Sequence, residues 1–329
     1  MSAPFAARRI AILGFGNQGA AHAHLLRAAG YAPVIGARAE GAGAARARAQ
    51  GFEVRELGAA LGASDLATVL LPDEVLPALW SALEPHIHPG HTLVFAHGFN
   101  LLYDGARFPA ACDVVLVAPT APGRVMARAR ERGESIPAYL AVHQDASGDA
   151  WESATAYAHA LHCGPLLRTT VREETEVDLF GEQVVLCGGM NALVLEAWQT
   201  LTSRGYTPEV AYLECVHQLR YLAELLHERG PAGFREAISG TARYGDLTRG
   251  PRVVGSASRA AMERVLDEIQ EGNFAREWRA EIASGGTCLA ALTEATRRDP
   301  IEAARRRALG LGSDVAEGPA AGSGLELPG

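Results

Sequence analysis

Lysine is missing from this sequence, and all 30 basic residues are Arg. No side chain can form a lysine Schiff base or act as an ammonium point charge, so every cationic role falls on guanidinium groups. Cysteine is scarce as well. Cys112, Cys163, Cys187, Cys215 and Cys288 are odd in number and never spaced CxxC, which excludes a disulfide framework and a thiolate metal site. The formal charge of −8 with scattered arginines leaves no basic face, so nucleic acid is not an expected partner. No apolar run reads as long enough to cross a bilayer. The start, "MSAPFAARRIAILGFG", leads directly into a glycine-bearing strand without the apolar core and cleavage site of a signal peptide. A cytoplasmic protein with no membrane partner is expected, and no internal repeat is visible.

A chain of 329 residues with 48% hydrophobic content is long enough for two packed domains. The first half alternates apolar runs ("RRIAILGFG", "YAPVIGAR", "LATVLLPDE", "HTLVFAHGFN", "CDVVLVAPT", "AYLAVHQD") with Ala-rich helical patterns. Such alternation predicts an α/β domain over residues 1–172, a doubly wound parallel sheet with helices on both faces. From about residue 170 helical periodicity takes over, as in "RAAMERVLDEIQEG", predicting an all-α domain over 173–311. The Gly, Ala and Pro rich end, 312–329, reads as a disordered tail.

The segment "GFGNQG", Gly14, Phe15, Gly16, Asn17, Gln18 and Gly19, is a GxGxxG pattern. Alone this is a weak signal. It follows the first apolar run, precedes an Ala/Leu helix, and a second strand comes at βαβ distance, so it predicts a dinucleotide loop whose glycines admit the pyrophosphate to a helix N-terminus. Two cues after the second strand disagree about the nucleotide. Arg38 suits a 2′-phosphate or adenine, whereas Glu40 suits a free ribose hydroxyl.

A second stretch, "TEVDLFGEQVVLCGG", sets Asp178 and Glu182 four apart at the edge of a run that reads as buried. At that spacing two carboxylates share a helix face and repel unless an Arg, a shared proton or a divalent metal lies between them. The plain alternative is a solvated helix start, where acidic side chains are favoured.

Together "GFGNQGAAHA", "LLPDE", "FAHGFN", "AVHQDASG", "EETEVDLFGEQVVLCGG", "YLECVHQ" and "ISGTARYGDLTRGPRV" resemble, in order and character, the ketol-acid reductoisomerases, from about residue 8 to about 310. The resemblance implies an N-terminal Rossmann domain, a knotted helical C-terminal domain and a homodimer with shared active sites. It implies two Mg²⁺ ions driving an alkyl migration in an acetohydroxy acid, followed by hydride transfer from NADPH. On this resemblance Asp178, Glu182 and Glu214 are metal ligands, Ser239 binds the substrate carboxylate, and His97 lies near the nicotinamide. Arg38, Asp73, Glu74 and Gly123 join the glycine loop as cofactor residues.

Three departures stand out. Gln218 occupies the place of the family's second carboxylate one turn after Glu214, which removes one unit of ligand charge. Thr120 occupies the place of a lysine, and Arg124 nearby has a planar fork of different geometry. Gly41 and Gly43 stand where serines bind the 2′-phosphate, which leaves Arg38 as its anchor; NADPH is the expected cofactor, with NADH as the alternative. The expected function is a divergent NAD(P)H-dependent reductase of a small 2-keto acid or derived imine, with one Mg²⁺ or none. The alternatives are a working ketol-acid reductoisomerase of valine and isoleucine synthesis and a silent cofactor-binding subunit.

Overall fold

The computed structural model describes residues 5–105 and 107–311, so the expected tail 312–329 lies outside the described residues. The chain divides into two compact units, Met1–Val177 and Asp178–Gly329, and the divide falls inside a helix, somewhat beyond the expected edge at 172.

The first unit is built on eight strands: β1 Ile10–Leu13, β2 Val34–Gly36, β3 Val54–Arg55, β4 Leu66–Val69, β5 Thr92–Phe95, β6 Asp113–Pro119, β7 Ile136–Gln144 and β8 Cys163–Arg168. Its helices are α1 Asn17–Ala28, α2 Ala42–Ala49, α3 Leu57–Gly62, α4 Leu76–Leu83, α5 Phe99–Tyr103, α6 Gly123–Glu131 and α7 Ala150–Ala160. The strand order is β3-β2-β1-β4-β5-β6-β7-β8. Strands β1, β4 and β5 are buried along their whole length, as apolar strands covered on both faces must be. Ile10, Ile12, Leu66 and Val94 pack into one helical layer, and Ala11, Leu13, Ala67 and Phe95 into the other, by the two-residue alternation of a strand.

The sheet differs from the expected one in two respects. β7 runs antiparallel to β6, and β8 then pairs parallel to β7. Neither β3 nor β8 reads as a strand in the sequence: β3 has two residues and so no periodicity, and β8 carries Pro165, which a sheet tolerates at an edge. The order reverses at β1 and β4, opening a crevice at their carboxyl ends between the glycine loop and the "LLPDE" segment.

One polar network crosses the core. Thr68 on β4 donates to the Tyr157 hydroxyl (2.7 Å), which lies 3.0 Å from His22 Nδ1 on α1. The Tyr157 hydroxyl thus links the strand to a buried imidazole. Complete burial pushes its pKa down to about 4. The unfolded chain takes up a proton here below the ordinary 6.5 and the folded chain only near 4, so this group's stabilisation is full above pH 6.5 and lost as the pH falls towards 4. The loss amounts to about 3 kcal/mol. Urea unfolding between pH 6.5 and 4 is expected to show wild type losing stability more steeply than a His22→Gln variant; parallel profiles would contradict it.

The second unit continues from α8 Val171–Gly181 through α9 Gly188–Thr202, α10 Pro208–Tyr212, α11 Leu219–Ala237, α12 Gly240–Val253, α13 Ser256–Gln270, α14 Asn273–Ala283, α15 Thr287–Arg297 and α16 Pro300–Ala308. α11 is broken at Gly230, where the backbone leaves helical geometry just before Pro231. Trp198, Ala211, Tyr212 and Ala304 form a buried cluster, with the Trp198 indole donating to the Pro208 carbonyl (3.0 Å). Two π-helical segments, Glu182–Leu186 and Leu213–His217, interrupt the α pattern.

The run after Glu182 is not buried as the sequence suggests: Val185 is 55% exposed, Leu186 62% and Leu193 50%. Counted through its π segment, Val171–Thr202 is one helix of 32 residues with a window of mean hydropathy 1.3, long and apolar enough by composition to span a bilayer. That corrects the expectation that no such run exists. Glu173, Glu174, Glu176, Asp178 and Glu182 all precede the apolar stretch, which itself carries Glu196.

Candidate functional site

The glycine loop joins β1 to α1 at the crevice. Gly14 has φ of +103°, and a Cβ there would stand 2.5 Å from the Leu70 carbonyl. At Gly19 a Cβ would stand 2.2 Å from the Gly14 carbonyl, so this glycine lets the helix close onto the loop. Gly16, the N-cap of α1, faces open space, and a Cβ there would have nothing within 4 Å. The fold leaves room at the one glycine where a pyrophosphate needs it.

The loop is braced by its neighbours. The Phe15 ring is buried against Phe52, and the Phe15 carbonyl accepts from Arg46 on α2 (2.7 Å). A Cβ at Gly123 would meet the Asn17 carbonyl at 2.4 Å, so the start of α6 packs directly on the first turn of α1. Gln18 donates to the Ala121 carbonyl (3.3 Å), while its Oε1 is buried without a hydrogen-bond partner. That orphaned acceptor, together with the open space at Gly16, fits a bound dinucleotide. Arg38 is exposed just beyond β2.

Across the crevice, Asp73 and Glu74 follow β4 and His97 follows β5. Asp73 accepts from the Asn100 amide (2.7 Å), and burial pushes its pKa up to about 6, with His97 pulling the other way. His97 Nδ1 stands 3.6 Å from Glu174 Oε1. Glu174 is 5% exposed and accepts the Gly98 backbone N–H (3.2 Å). Gly98 is a glycine of necessity, since a Cβ would lie 2.0 Å from Thr175 Oγ1. At 3.6 Å the approach of Glu174 to Nδ1 is an electrostatic contact and too long for a hydrogen bond.

In the second unit Asp178 and Glu182 lie one turn apart, and Glu182 opens the first π segment. Its carbonyl accepts from the Cys187 N–H five residues on (2.9 Å), and methyl groups at Gly188 and Gly189 would collide with the Gln183 and Val184 carbonyls at 2.2 and 1.8 Å. The "CGG" sequence thus permits the wide turn, a device common at functional sites. Glu214 lies in the second π segment. The donors are hard oxygens suited to Mg²⁺, yet among the described residues no three ligand-type side chains of one chain gather into a metal-binding cluster. Ser239 caps α12, its hydroxyl accepting the Ala242 N–H (3.2 Å) and lying 3.1 Å from Thr241 Oγ1.

Residues 4–165 match the acetohydroxy acid isomeroreductase NADPH-binding domain, and residues 171–309 the ketol-acid reductoisomerase C-terminal domain. A structure of an NADH-preferring ketol-acid reductoisomerase from an uncultured archean is 35% identical, with a TM-score of 0.90, covering 94% of this chain and 96% of that one. The chain belongs to the ketol-acid reductoisomerase family. It is an NAD(P)H-dependent oxidoreductase. More distant likenesses share the fold alone. A semialdehyde dehydrogenase NAD-binding protein from Cupriavidus necator is 18% identical (TM-score 0.62, covering 80% of this chain and 99% of that one). A pyrroline-5-carboxylate reductase from Coxiella burnetii is 12% identical (TM-score 0.58, covering 80% and 98%).

Within a ketol-acid reductoisomerase frame two of the departures have defined surroundings. The Thr120 hydroxyl donates to the Pro137 carbonyl at 3.0 Å, so it is committed to the backbone. The Gln218 amide donates to Glu214 Oε2 at 2.7 Å, so a neutral donor faces this carboxylate. Sequence reading missed Glu174, although its four-residue spacing from Asp178 extends the acidic periodicity by one turn. It also missed Asn100, Arg46 and Glu56, whose roles depend on long-range contacts that no local pattern reveals.

Proposed function

We propose that this protein is a divergent member of its family, reducing a small 2-keto acid or derived imine with the alkyl migration weakened or lost. The observation that carries this reading is the Gln218 amide bonded to Glu214. A metal pair needs carboxylate charge on that helix, and here a carboxamide uses its N–H on the ligand that remains. The committed hydroxyl of Thr120 supports the same reading, because no lysine stands at that position to balance metal-bound oxygens.

A bound nicotinamide would supply the hydride. This chain's own residues would hold the dinucleotide on Gly14–Gly19, set His97 near the nicotinamide with Glu174 beside its Nδ1, and bind a carboxylate at Ser239. Mg²⁺, as one ion or two, would be held by Asp178 and Glu182 with Glu214, and would act there as a Lewis acid on substrate oxygens. The shared active sites that the family resemblance implies would let a second copy complete the set.

The second reading is a working ketol-acid reductoisomerase, favoured by 35% identity over 94% of the chain to a protein of that description. Oxidation of NADH and NADPH with acetolactate, with 2-keto acids and with imines separates the two. Turnover with keto acids or imines but not acetolactate supports the divergent reductase; turnover with acetolactate supports the second reading; binding without any turnover favours the silent subunit.

A homodimer belongs to this proposal. Among the described residues, Val75, Leu167 and Val177 are the exposed large apolar side chains of the first unit, while the second exposes many, among them Leu186, Val210, Tyr244 and Leu292. So large an apolar surface calls for a cover, and an isologous second copy covers the same patch on both chains. Light scattering at micromolar concentration is expected to give about twice the 34.7 kDa chain mass; a monomer would sink it.

A further inference from the structure

The turn between β2 and α2, which carries Arg38 and Glu40, is gripped from outside. Ala39 donates its backbone N–H to Glu56 Oε1 (3.1 Å), and its carbonyl accepts from Arg48 Nη1 (3.0 Å). Glu56 comes from the adjoining strand: β3 pairs with β2 with Arg55 opposite Gly36, and Glu56 follows at the same end of the sheet. Neighbouring backbone donors are also engaged, Ala37 N–H with the Arg55 carbonyl (3.0 Å) and Gly41 N–H with the Arg38 carbonyl (2.9 Å). Three alternate N–H groups of this turn are therefore taken.

A ribose 2′-phosphate is a dianion that needs donors, whereas a free 2′-hydroxyl needs an acceptor. The turn has few donors to offer. Gly41 and Gly43 carry no hydroxyl, and two of the nearby guanidinium groups, those of Arg46 and Arg48, are engaged with the Phe15 and Ala39 carbonyls. Two carboxylates, Glu40 and Glu56, offset most of the positive charge a phosphate would meet. Glu56 counts twice, because it takes the Ala39 N–H and adds its own negative charge beside the turn.

We propose that Glu56 and Arg48 are positioning residues that fix the Ala39 peptide, and that Glu56, acting from the neighbouring strand, makes the nucleotide site select NADH over NADPH. The proposal rests on the nicotinamide dinucleotide occupying the Gly14–Gly19 loop.

The test is fluorescence titration of the full-length protein with NADH and with NADPH, for wild type, Glu56→Gln, Glu56→Ala and Arg48→Ala, with thermal midpoints recorded alongside. Wild type is expected to bind NADH about fivefold or more tightly than NADPH, the size of one exposed charge contact. Glu56→Gln keeps an oxygen acceptor for the Ala39 N–H and removes only the charge, so NADPH affinity should rise about fivefold while NADH changes little. Glu56→Ala should narrow the ratio at least as far and weaken NADH. Arg48→Ala should weaken both nucleotides about threefold by loosening the turn. A merely structural role would lower the midpoints and leave the NADPH to NADH ratio unmoved. An unchanged ratio in both Glu56 variants overturns the proposal, as does a wild-type preference for NADPH. Binding of neither nucleotide by wild type would instead overturn the assignment of the glycine loop.

Discussion

A Gly16→Val variant is expected to fold normally and to bind NAD(P)H at least about a hundredfold more weakly. The expectation follows from an asymmetry among the three glycines. A side chain at Gly19 would run into the Gly14 carbonyl at 2.2 Å, whereas one at Gly16 meets no protein atom within 4 Å and has an ordinary extended backbone to sit on. Its Cβ projects into the space a ligand would take. Gly19→Val, by contrast, should lose stability, because the α1 turn cannot close. Comparing thermal midpoints with nucleotide titration separates the two effects, and wild-type affinity in Gly16→Val would remove the pyrophosphate from this loop.

The second large effect concerns the migration chemistry. Wild type should turn over acetolactate very slowly or not at all, and Thr120→Lys combined with Gln218→Glu should gain an activity that neither single change confers. The lysine would replace a hydroxyl tied to Pro137 with a mobile cation, and the glutamate would replace an amide donor with a carboxylate. Placed beside Glu214, that carboxylate repels it until a cation lies between them, so Mg²⁺ affinity should rise in Gln218→Glu by itself. Both changes act on one transition state, so their effects should couple rather than add. Calorimetric Mg²⁺ titration and acetolactate kinetics test the two halves separately. If wild type already works near the ~10 s⁻¹ of an ordinary enzyme, the divergent reading is wrong.

Much of this was legible without coordinates, for identifiable reasons. The runs at β1, β4, β5 and β6 are largely apolar because both faces of those strands are covered, and the glycine loop announces itself by the strand before it and the helix after it. What stayed hidden depends on distance or on absent neighbours. The direction of β7 and the two residues of β3 are settled by pairing. Glu174 looks like one more acid in "EETEVD", and only the fold turns it inward beneath Gly98. The apolar stretch after Glu182 reads as buried from composition, yet it is exposed in a single chain. Composition cannot say whether the cover for an apolar face comes from the same chain.

The wide turn at Glu182–Leu186 bears on how this chain can change over time. An α-helix advances about 100° per residue, so the extra residue a π turn absorbs refaces everything downstream by that angle. Loss of a single codon in this stretch would not merely shorten the helix. It would let the segment relax into regular α geometry and rotate Gly188–Thr202, with the Trp198 cluster that travels with it, relative to Asp178 and Glu182. Point substitutions here are local events, whereas insertions and deletions are rotations, and the helix should tolerate the first far better than the second.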